Sequence, residues 1–213
     1  MRLLILLATV ATAYKVLLYG DSLTYFAFQM DGWATLLHEH FKESITLINN
    51  GTCGFCTDMA LTDLKPSLEL VAHDKKNPLI LTTILLGTND AYLPETGYNR
   101  TVPVGRYEEN IRYLTNTALA YGKVALITPP PLDILHMNDR VNTDVYRDAC
   151  IKVANETGVI LIDSWKAFFG PLGTYDQTIV NQVLNDGVHF NANGNFLLYQ
   201  HVLEVTQKVL NER

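Results

Sequence analysis

A serine near the amino end and a histidine near the carboxyl end of this 213-residue chain have the residue types of a nucleophile and its base. A serine hydroxyl is a poor nucleophile until a neighbouring base removes its proton, and imidazole suits that task near neutral pH. Ser22 and His189 are the candidates, and Asp186 can hold the second ring nitrogen of His189 in the required tautomer. A loop histidine that caps the last helix is the alternative interpretation of His189. Together, the three residues predict attack on an acyl carbon.

Two further segments contain groups that suit a developing negative charge. A tetrahedral intermediate needs hydrogen-bond donors already in place, each contributing about 3 kcal/mol. A glycine lets its backbone N–H approach an oxyanion because no Cβ intervenes, and an asparagine amide adds a neutral donor. Gly54 and Asn89 fit these roles. Asp21 and Asp90 either tune the site or accept hydrogen bonds from backbone N–H groups in their turns.

Short apolar strands alternate with amphipathic helices along the chain. β-branched or leucine-rich runs without polar alternation predict strands covered on both faces, at residues 15–19, 45–48, 79–86, 123–128 and 159–162. Helical periodicity predicts helices near residues 32–42, 58–71, 106–121, 144–156 and 193–210. This succession implies right-handed crossovers, so we predict an α/β fold, a three-layer α/β/α sandwich around a five-stranded parallel sheet.

The candidate chemical groups follow the predicted strands or precede the last helix. The four segments are Gly20-Asp-Ser-Leu23, Asn49-Asn-Gly-Thr-Cys-Gly54, Gly87-Thr-Asn-Asp90 and Asp186-Gly-Val-His189. In such folds ligands bind outside the carboxyl ends of the strands. One Gly-Asp-Ser turn alone is a common way for a chain to leave a sheet. Four segments in this order and context predict a single shared site.

Together these segments resemble the four functional blocks of the SGNH, or GDSL, hydrolase superfamily. The resemblance implies a flavodoxin-like sheet, Ser22 as nucleophile and an Asp186/His189 pair. It also implies an oxyanion hole formed by the backbone N–H groups of Ser22 and Gly54 and by the Asn89 side chain. The Gly-x-Ser-x-Gly elbow of α/β-hydrolases is absent from such folds, and none surrounds Ser22.

Within the superfamily the chain is most similar to the isoamyl acetate-hydrolysing esterases. This narrower match comes from Gly32-Trp33 and from residues 102–111, 127–131 and 186–195. The second block departs from the family, because Cys53 and Cys56 stand where small or polar residues are more usual. A bridge between them, or from one of them to Cys150, would stiffen the oxyanion loop. Gly51 is the alternative oxyanion glycine, although the spacing within the block favours Gly54.

The amino-terminal segment indicates the compartment of the protein, and the composition limits its possible partners. Residues 1–13 contain one early cation, an apolar stretch and the small-x-small spacing of a cleavage site, which together predict a signal peptide. An extra strand or core helix is the alternative interpretation of the apolar stretch. We therefore expect a secreted protein with one domain over residues 14–213, no integral membrane contact, and Asn99 and Asn155 open to glycosylation. Asn50 we expect to be unmodified. A net charge of -6 without a Lys/Arg run argues against a nucleic-acid partner.

The residues and the resemblance together predict a serine esterase for small, short-acyl esters such as acetates, acting through an acyl-serine intermediate. No metal and no organic cofactor are expected. A carbohydrate O-acetyl esterase and a lysophospholipase or thioesterase are alternatives on the same scaffold, and the shape of the acyl pocket distinguishes them. A secreted binding protein without turnover is an alternative of another class. The full set of catalytic residue types argues against it.

Overall fold

Five parallel strands form the centre of the fold in the computed structural model, which describes residues 13–94, 100–135 and 143–213. They are β1 (Tyr14–Gly20), β2 (Ile45–Gly51), β3 (Leu79–Leu85), β4 (Lys123–Ile127) and β5 (Ile160–Ile162). The strands lie in the order β2-β1-β3-β4-β5, so the predicted flavodoxin-like sheet is confirmed. Every residue of the central strand β3 is buried, as both faces of a parallel strand are covered.

Helices cover the two faces of this sheet. Within the described residues they are α1 (Ser22–Tyr25), α2 (Trp33–Phe41), α3 (Thr57–Ala72), α4 (Val104–Leu119), α5 (Asp144–Thr157), α6 (Ser164–Phe169), α7 (Gln177–Val183) and α8 (Ala192–Asn211). Leu17 and Tyr19 of β1 join the apolar cluster of α3, α4 and α5. Val16 and Leu18 join the cluster of α2, α6, α7 and α8. The predicted three-layer sandwich is therefore confirmed.

The short helices were not predicted, and the second strand is longer than predicted. α1, α6 and α7 have 4, 6 and 7 residues, which is about two turns or fewer and too short for a periodic apolar pattern. Each follows an aspartate whose carboxylate accepts from the first-turn N–H groups: Asp21, Asp163 and Asp176. Strand β2 continues through Asn49 and Asn50 because its backbone still pairs with β1 as far as Gly51.

The predicted leader and the predicted glycosylation sites can be compared with the described residues. Residues 1–12 and Asn99 lie outside the described residues. Asn155 is exposed in the last turn of α5, whereas Asn50 is half-buried beside Tyr19 of β1. In the described part of the chain, no helix combines the length and the apolar character needed to cross a bilayer.

All three cysteines carry free thiols. Cys53 is exposed, and Cys56 and Cys150 are buried. Burial raises the pKa of the Cys150 thiol to about 12, so this thiol stays protonated at neutral pH. The bridge that would stiffen the loop around Gly54 is therefore not formed.

Candidate active site

Ser22 lies where the chain leaves the central sheet. β1 ends at Gly20, Asp21 caps α1 by accepting a hydrogen bond from the Leu23 N–H at 2.9 Å, and Ser22 is the first residue of that helix. The Asp21 N–H donates to the carbonyl of Leu85, the last residue of β3, at 3.3 Å. A first-turn N–H has no acceptor within its own helix. The backbone N–H of Ser22 is therefore available beside its hydroxyl at the carboxyl edge of the sheet.

His189 lies in a tight loop that Asp186 helps to close. The Asn185 N–H donates to the His189 carbonyl at 2.8 Å, and Leu184 and Phe190 form an antiparallel bridge. One oxygen of Asp186, Oδ1, accepts from the His189 N–H at 2.8 Å and from the Val188 N–H at 3.1 Å. Three residues of spacing thus suffice for Asp186 to fold the loop and still reach the imidazole.

Ser22, His189 and Asp186 form one hydrogen-bonded chain. The Nε2 atom of His189 lies 2.9 Å from Ser22 Oγ, and the Nδ1 atom lies 2.8 Å from Asp186 Oδ2. An ionised carboxylate only accepts, so Nδ1 carries the ring proton and Nε2 is left to accept from the serine hydroxyl. The structure therefore brings the three predicted residues together, and the contact with an ionised Asp186 favours the tautomer that a general base requires.

The electrostatics of Asp186 agree with this tautomer. Partial burial acts to raise the pKa of its carboxyl, but hydrogen bonds from the His189 N–H, the His189 ring and the Val188 N–H outweigh that effect. The net result is a pKa below the ordinary value. Asp186 is therefore ionised at neutral pH and can stabilise a positively charged imidazolium.

Asn89 connects the segments that contain the other predicted donors. Its Nδ2 donates to the Phe55 carbonyl at 3.1 Å and lies 3.5 Å from Asp21 Oδ2. Phe55 follows Gly54 and Asp21 precedes Ser22 in the chain. The loops after β1, β2 and β3 thus meet around one amide. Because the contact with Asp21 is long, one N–H of this amide is only weakly engaged.

Gly54 suits the oxyanion role better than Gly51. Gly54 has φ +73°, and a Cβ built on it would lie 2.0 Å from Arg100 Nη1, so a larger residue would need both strain and displacement. No described atom accepts a hydrogen bond from the Gly54 N–H. The Gly51 N–H, in contrast, already donates to Asn49 Oδ1 at 2.9 Å. The proximity of Arg100 to this loop had no signal in the sequence.

Asp90 holds the beginning of α3 against the loop after β3. Its carboxylate accepts hydrogen bonds from the N–H of Thr57, at 3.0 Å to Oδ1, and from the Thr57 hydroxyl. Asn110 of α4 donates to the same hydroxyl at 3.0 Å, and the Tyr146 hydroxyl of α5 donates to the Asp90 carbonyl at 3.1 Å. Because Thr57 closely follows Gly54, this network positions the loop that contains the predicted glycine donor. Contacts between such distant residues could not be predicted from local patterns.

The pH dependence of stability should report on the Asp90 carboxyl. Burial raises its pKa to about 7, although the hydrogen bonds from Thr57 lower it. Between an unfolded pKa of about 4 and the folded value, the folded protein binds a proton that the unfolded chain lacks, so the free energy of unfolding falls as pH rises. We expect Asp90→Asn to remove this contribution. The Tm of the wild type minus that of the variant should therefore decrease from pH 4 to pH 8.

Asp148→Asn is the control for that measurement, because Asp148 is exposed on α5 and its replacement makes the same change of a carboxyl group to an amide. The difference between the wild type and this control should show no comparable trend. A Tm difference for Asp90→Asn that stays constant over the pH range would contradict the assignment.

Metal ligands are not grouped anywhere in the described residues: no three His, Cys, Asp or Glu side chains are arranged to hold an ion. The sequence expectation that no metal is needed stays a prediction.

Known proteins are similar to this chain in sequence and in fold. The model of the GDSL-like Lipase/Acylhydrolase family matches residues 18–196. An isoamyl acetate-hydrolyzing esterase 1 homolog from Rattus norvegicus is 32% identical over 210 residues, covering 91% of this chain and 82% of the relative. The isoamyl acetate-hydrolyzing esterase of Saccharomyces cerevisiae is 28% identical, and the match covers 91% of this chain and 86% of that relative. The crystal structure of a lipase/acylhydrolase from Enterococcus faecalis superposes with a TM-score of 0.75 at 24% sequence identity. The superposition covers 92% of this chain and 96% of that chain, and it supports the fold. From the match of the family model and the rat relative, this chain belongs to the GDSL-like lipase/acylhydrolase family.

Proposed function

We propose that this chain hydrolyses small carboxylic esters with a short acyl group, such as acetates, through an acyl intermediate on Ser22. The observation that carries the proposal is the chain of hydrogen bonds from Ser22 Oγ through the His189 ring to Asp186, at 2.9 and 2.8 Å. Family membership supports ester hydrolysis, and relatives named for isoamyl acetate support an acetyl group on a short alcohol.

In the first half of the reaction Ser22 Oγ attacks the ester carbonyl carbon while His189 Nε2 takes the hydroxyl proton. Ionised Asp186 stabilises the imidazolium that forms. Negative charge develops on the carbonyl oxygen, where the Ser22 N–H, the Gly54 N–H and the Asn89 amide are the proposed donors. Collapse of the tetrahedral intermediate breaks the bond to the alcohol oxygen, and His189 returns the proton to that oxygen.

In the second half a water molecule attacks the acyl carbon. His189 takes a proton from the water, the same donors stabilise the second oxyanion, and the bond to Ser22 Oγ breaks. The proton on His189 then restores the serine hydroxyl. The products are the carboxylic acid and the alcohol, so the cycle needs no group beyond this chain and water.

A fluorophosphonate probe tests the nucleophile directly, because it forms a bond only with an activated serine. The wild type should be labelled with one equivalent, and Ser22→Ala should not be labelled. Ser44→Ala is the matched control, since Ser44 is exposed just before β2, at the opposite edge of the sheet, and its loss should leave labelling intact. Labelling of Ser22→Ala to the wild-type level would refute the proposal.

Acyl preference is tested with p-nitrophenyl esters of increasing acyl length. We expect kcat/KM to be highest for the acetate and to decrease through butyrate to octanoate. A maximum at octanoate or beyond would contradict the short-acyl proposal and favour the lysophospholipase or thioesterase alternative.

We also propose that residues 1–13 are a secretory leader, removed after Ala13. The apolar stretch and the small residues at its end support this, and β1 begins directly afterwards at Tyr14. Expression of the full chain with a carboxyl-terminal tag in eukaryotic cells, followed by amino-terminal sequencing, tests it. A mature chain in the medium that begins at Tyr14 is the expected result, and a cell-retained product that begins at Met1 is the contrary one.

A further inference from the structure

Residues 52–55 form a tight turn shortly before α3. The Phe55 N–H donates to the Thr52 carbonyl at 3.2 Å. The φ of Cys53, the second residue, is negative, and the φ of Gly54, the third, is +73°. These signs define a type II turn. The central peptide of the turn therefore joins the Cys53 carbonyl to the Gly54 N–H, which is the proposed oxyanion donor.

The orientation of this central peptide determines where the donor points. Types I and II differ in ψ of the second residue by about 150° and in φ of the third by about 170°, so the central peptide turns over between them. Because a trans peptide is planar, its carbonyl oxygen and its N–H point to opposite sides. A turned-over peptide would aim the Cys53 carbonyl, instead of the Gly54 N–H, at the ester. Glycine accepts both signs of φ at similar cost, so another group has to hold the type II form.

The guanidinium of Arg100 lies on the carbonyl side of that peptide. At a positive φ, a Cβ lies against the carbonyl oxygen of the preceding residue. Arg100 occupies this place, since a Cβ built on Gly54 would lie 2.0 Å from its Nη1 and 2.4 Å from its Cζ. A Cβ is about 2.5 Å from its own backbone nitrogen, so Nη1 lies no more than about 4.5 Å from the Gly54 nitrogen. The guanidinium thus packs directly on the turn.

The charge of Arg100 is not balanced by a described carboxylate. Its side chain is half-buried and forms no ion pair with any described residue. Asp58 shares with Arg100 the lining of a cavity of about 280 Å³, but it accepts hydrogen bonds from Arg106 Nε at 2.7 Å and from Asn110 Nδ2 at 2.8 Å. The positive charge of Arg100 therefore acts on the neighbouring turn without a paired anion to cancel it.

The backbone next to Arg100 is fixed to the same network that holds the start of α3. The buried Val102 donates its N–H to the Asp90 carbonyl at 3.1 Å, and the Tyr146 hydroxyl lies 2.9 Å from the Val102 carbonyl. The Asp90 carboxylate accepts from the Thr57 N–H at 3.0 Å. One residue, Asp90, thus anchors both the segment that contains Arg100 and the segment that follows Gly54. The contact between them is built into the fold.

We propose that Arg100 is a positioning residue of the oxyanion hole. Its guanidinium attracts the Cys53 carbonyl, which holds the turn with the Gly54 N–H directed at the ester carbonyl, and its charge adds to the stabilisation of the oxyanion. A cation at the carbonyl end and an anion at the N–H end both favour the same peptide orientation, so the effect increases as negative charge develops. This inference rests on the proposed esterase function. It adds a residue that lies outside the four sequence segments.

Two substitutions of Arg100 separate its charge from its bulk. Arg100→Gln retains a polar side chain of similar length without the charge, and we expect kcat for a short-chain acetate to fall by about tenfold while KM stays within about twofold. Arg100→Lys retains the charge and should restore kcat to within about threefold of the wild type. Titration of Ser22 with the fluorophosphonate probe counts the folded sites, so that kcat is expressed per functional site in each variant.

A boronic acid gives a second measurement that depends on the oxyanion. Ser22 Oγ adds to the boron of phenylboronic acid, its proton passes to His189, and the tetrahedral adduct carries the negative charge of the reaction intermediate. We expect the inhibition constant to rise for Arg100→Gln by about the same factor as kcat falls, because both report stabilisation of that charge. A loss of packing alone would not make the two factors agree.

Lys65→Gln is the matched control, because Lys65 is exposed on α3 and its replacement removes the same charge. Both kcat and the inhibition constant of the boronic acid should stay within about twofold of the wild type. Equal falls in kcat for Arg100→Gln and Lys65→Gln would mean that net charge alone matters, and equal falls for Arg100→Gln and Arg100→Lys would mean that the charge does not. Either result would overturn the role proposed for Arg100.

Failure of this inference can be distinguished from failure of the esterase function. If the wild type hydrolyses acetates and Ser22 is labelled, but Arg100→Gln has the kcat of the wild type, the esterase function stands and the role of Arg100 is wrong. If the wild type hydrolyses no ester and no probe labels Ser22, the esterase function is wrong and the role of Arg100 falls with it.

Discussion

Replacing His189 by alanine is expected to lower kcat/KM for a short-chain acetate by about 10⁴- to 10⁶-fold. In the described structure, His189 Nε2 at 2.9 Å is the hydrogen-bond partner of Ser22 Oγ. Without this base the hydroxyl keeps its proton, and the leaving alcohol receives none. Steady-state kinetics on the purified variant measure the loss. His201→Ala removes an exposed histidine on α8 and should retain wild-type activity.

The double variant Ser22→Ala/His189→Ala sharpens this prediction. Nucleophile and base act as one unit, so removing both should cost about as much as removing either one alone. Losses that multiply would show that the two side chains contribute independently, and would contradict the hydrogen-bonded arrangement as the source of activity. A Tm close to that of the wild type for each variant confirms that the fold is retained.

Asn89→Ala is expected to lower kcat by about 10²- to 10³-fold with little change in KM. The amide is proposed to donate to the oxyanion, which exists only in the transition state, so its loss should not weaken binding of the ground-state ester. The structure supports this use because Nδ2 makes one firm hydrogen bond, to the Phe55 carbonyl at 3.1 Å, and one long contact at 3.5 Å. Separate determination of kcat and KM is the measurement.

The alternative role of Asn89 is to hold the loop that contains Phe55 in place. A purely positioning role predicts a raised KM and a lowered Tm, rather than a selective loss in kcat. Asn77→Ala serves as the matched control, since Asn77 lies just before β3 at the opposite edge of the sheet and bonds to Asp74. It should leave kcat unchanged, and an equal fall in kcat for the two variants would contradict the oxyanion assignment.

Local patterns predicted the layers of this fold well. The five longer helices lie within two residues of the predicted bounds, because an amphipathic helix of nine or more residues repeats its apolar face several times. The strands were predicted because both of their faces are covered, so their sequences are unbroken apolar runs. The predicted end of strand β2 was the least accurate bound, because Asn49 and Asn50 belong to the strand only through their backbone pairing with β1.

By itself the sequence determined which chemical groups leave the sheet at its carboxyl edge, and it placed Asp186 close enough to His189 for a local hydrogen bond. Only the tertiary structure decided that Ser22 and His189, 167 positions apart, meet at 2.9 Å. It also decided that no described atom accepts a hydrogen bond from the Gly54 N–H, whereas the Gly51 N–H donates to Asn49, and that the Trp33 N–H donates to Asn195 of α8. The physical reason is that the packing of α2 and α8 on the sheet sets these distances, and packing depends on residues far apart in the chain.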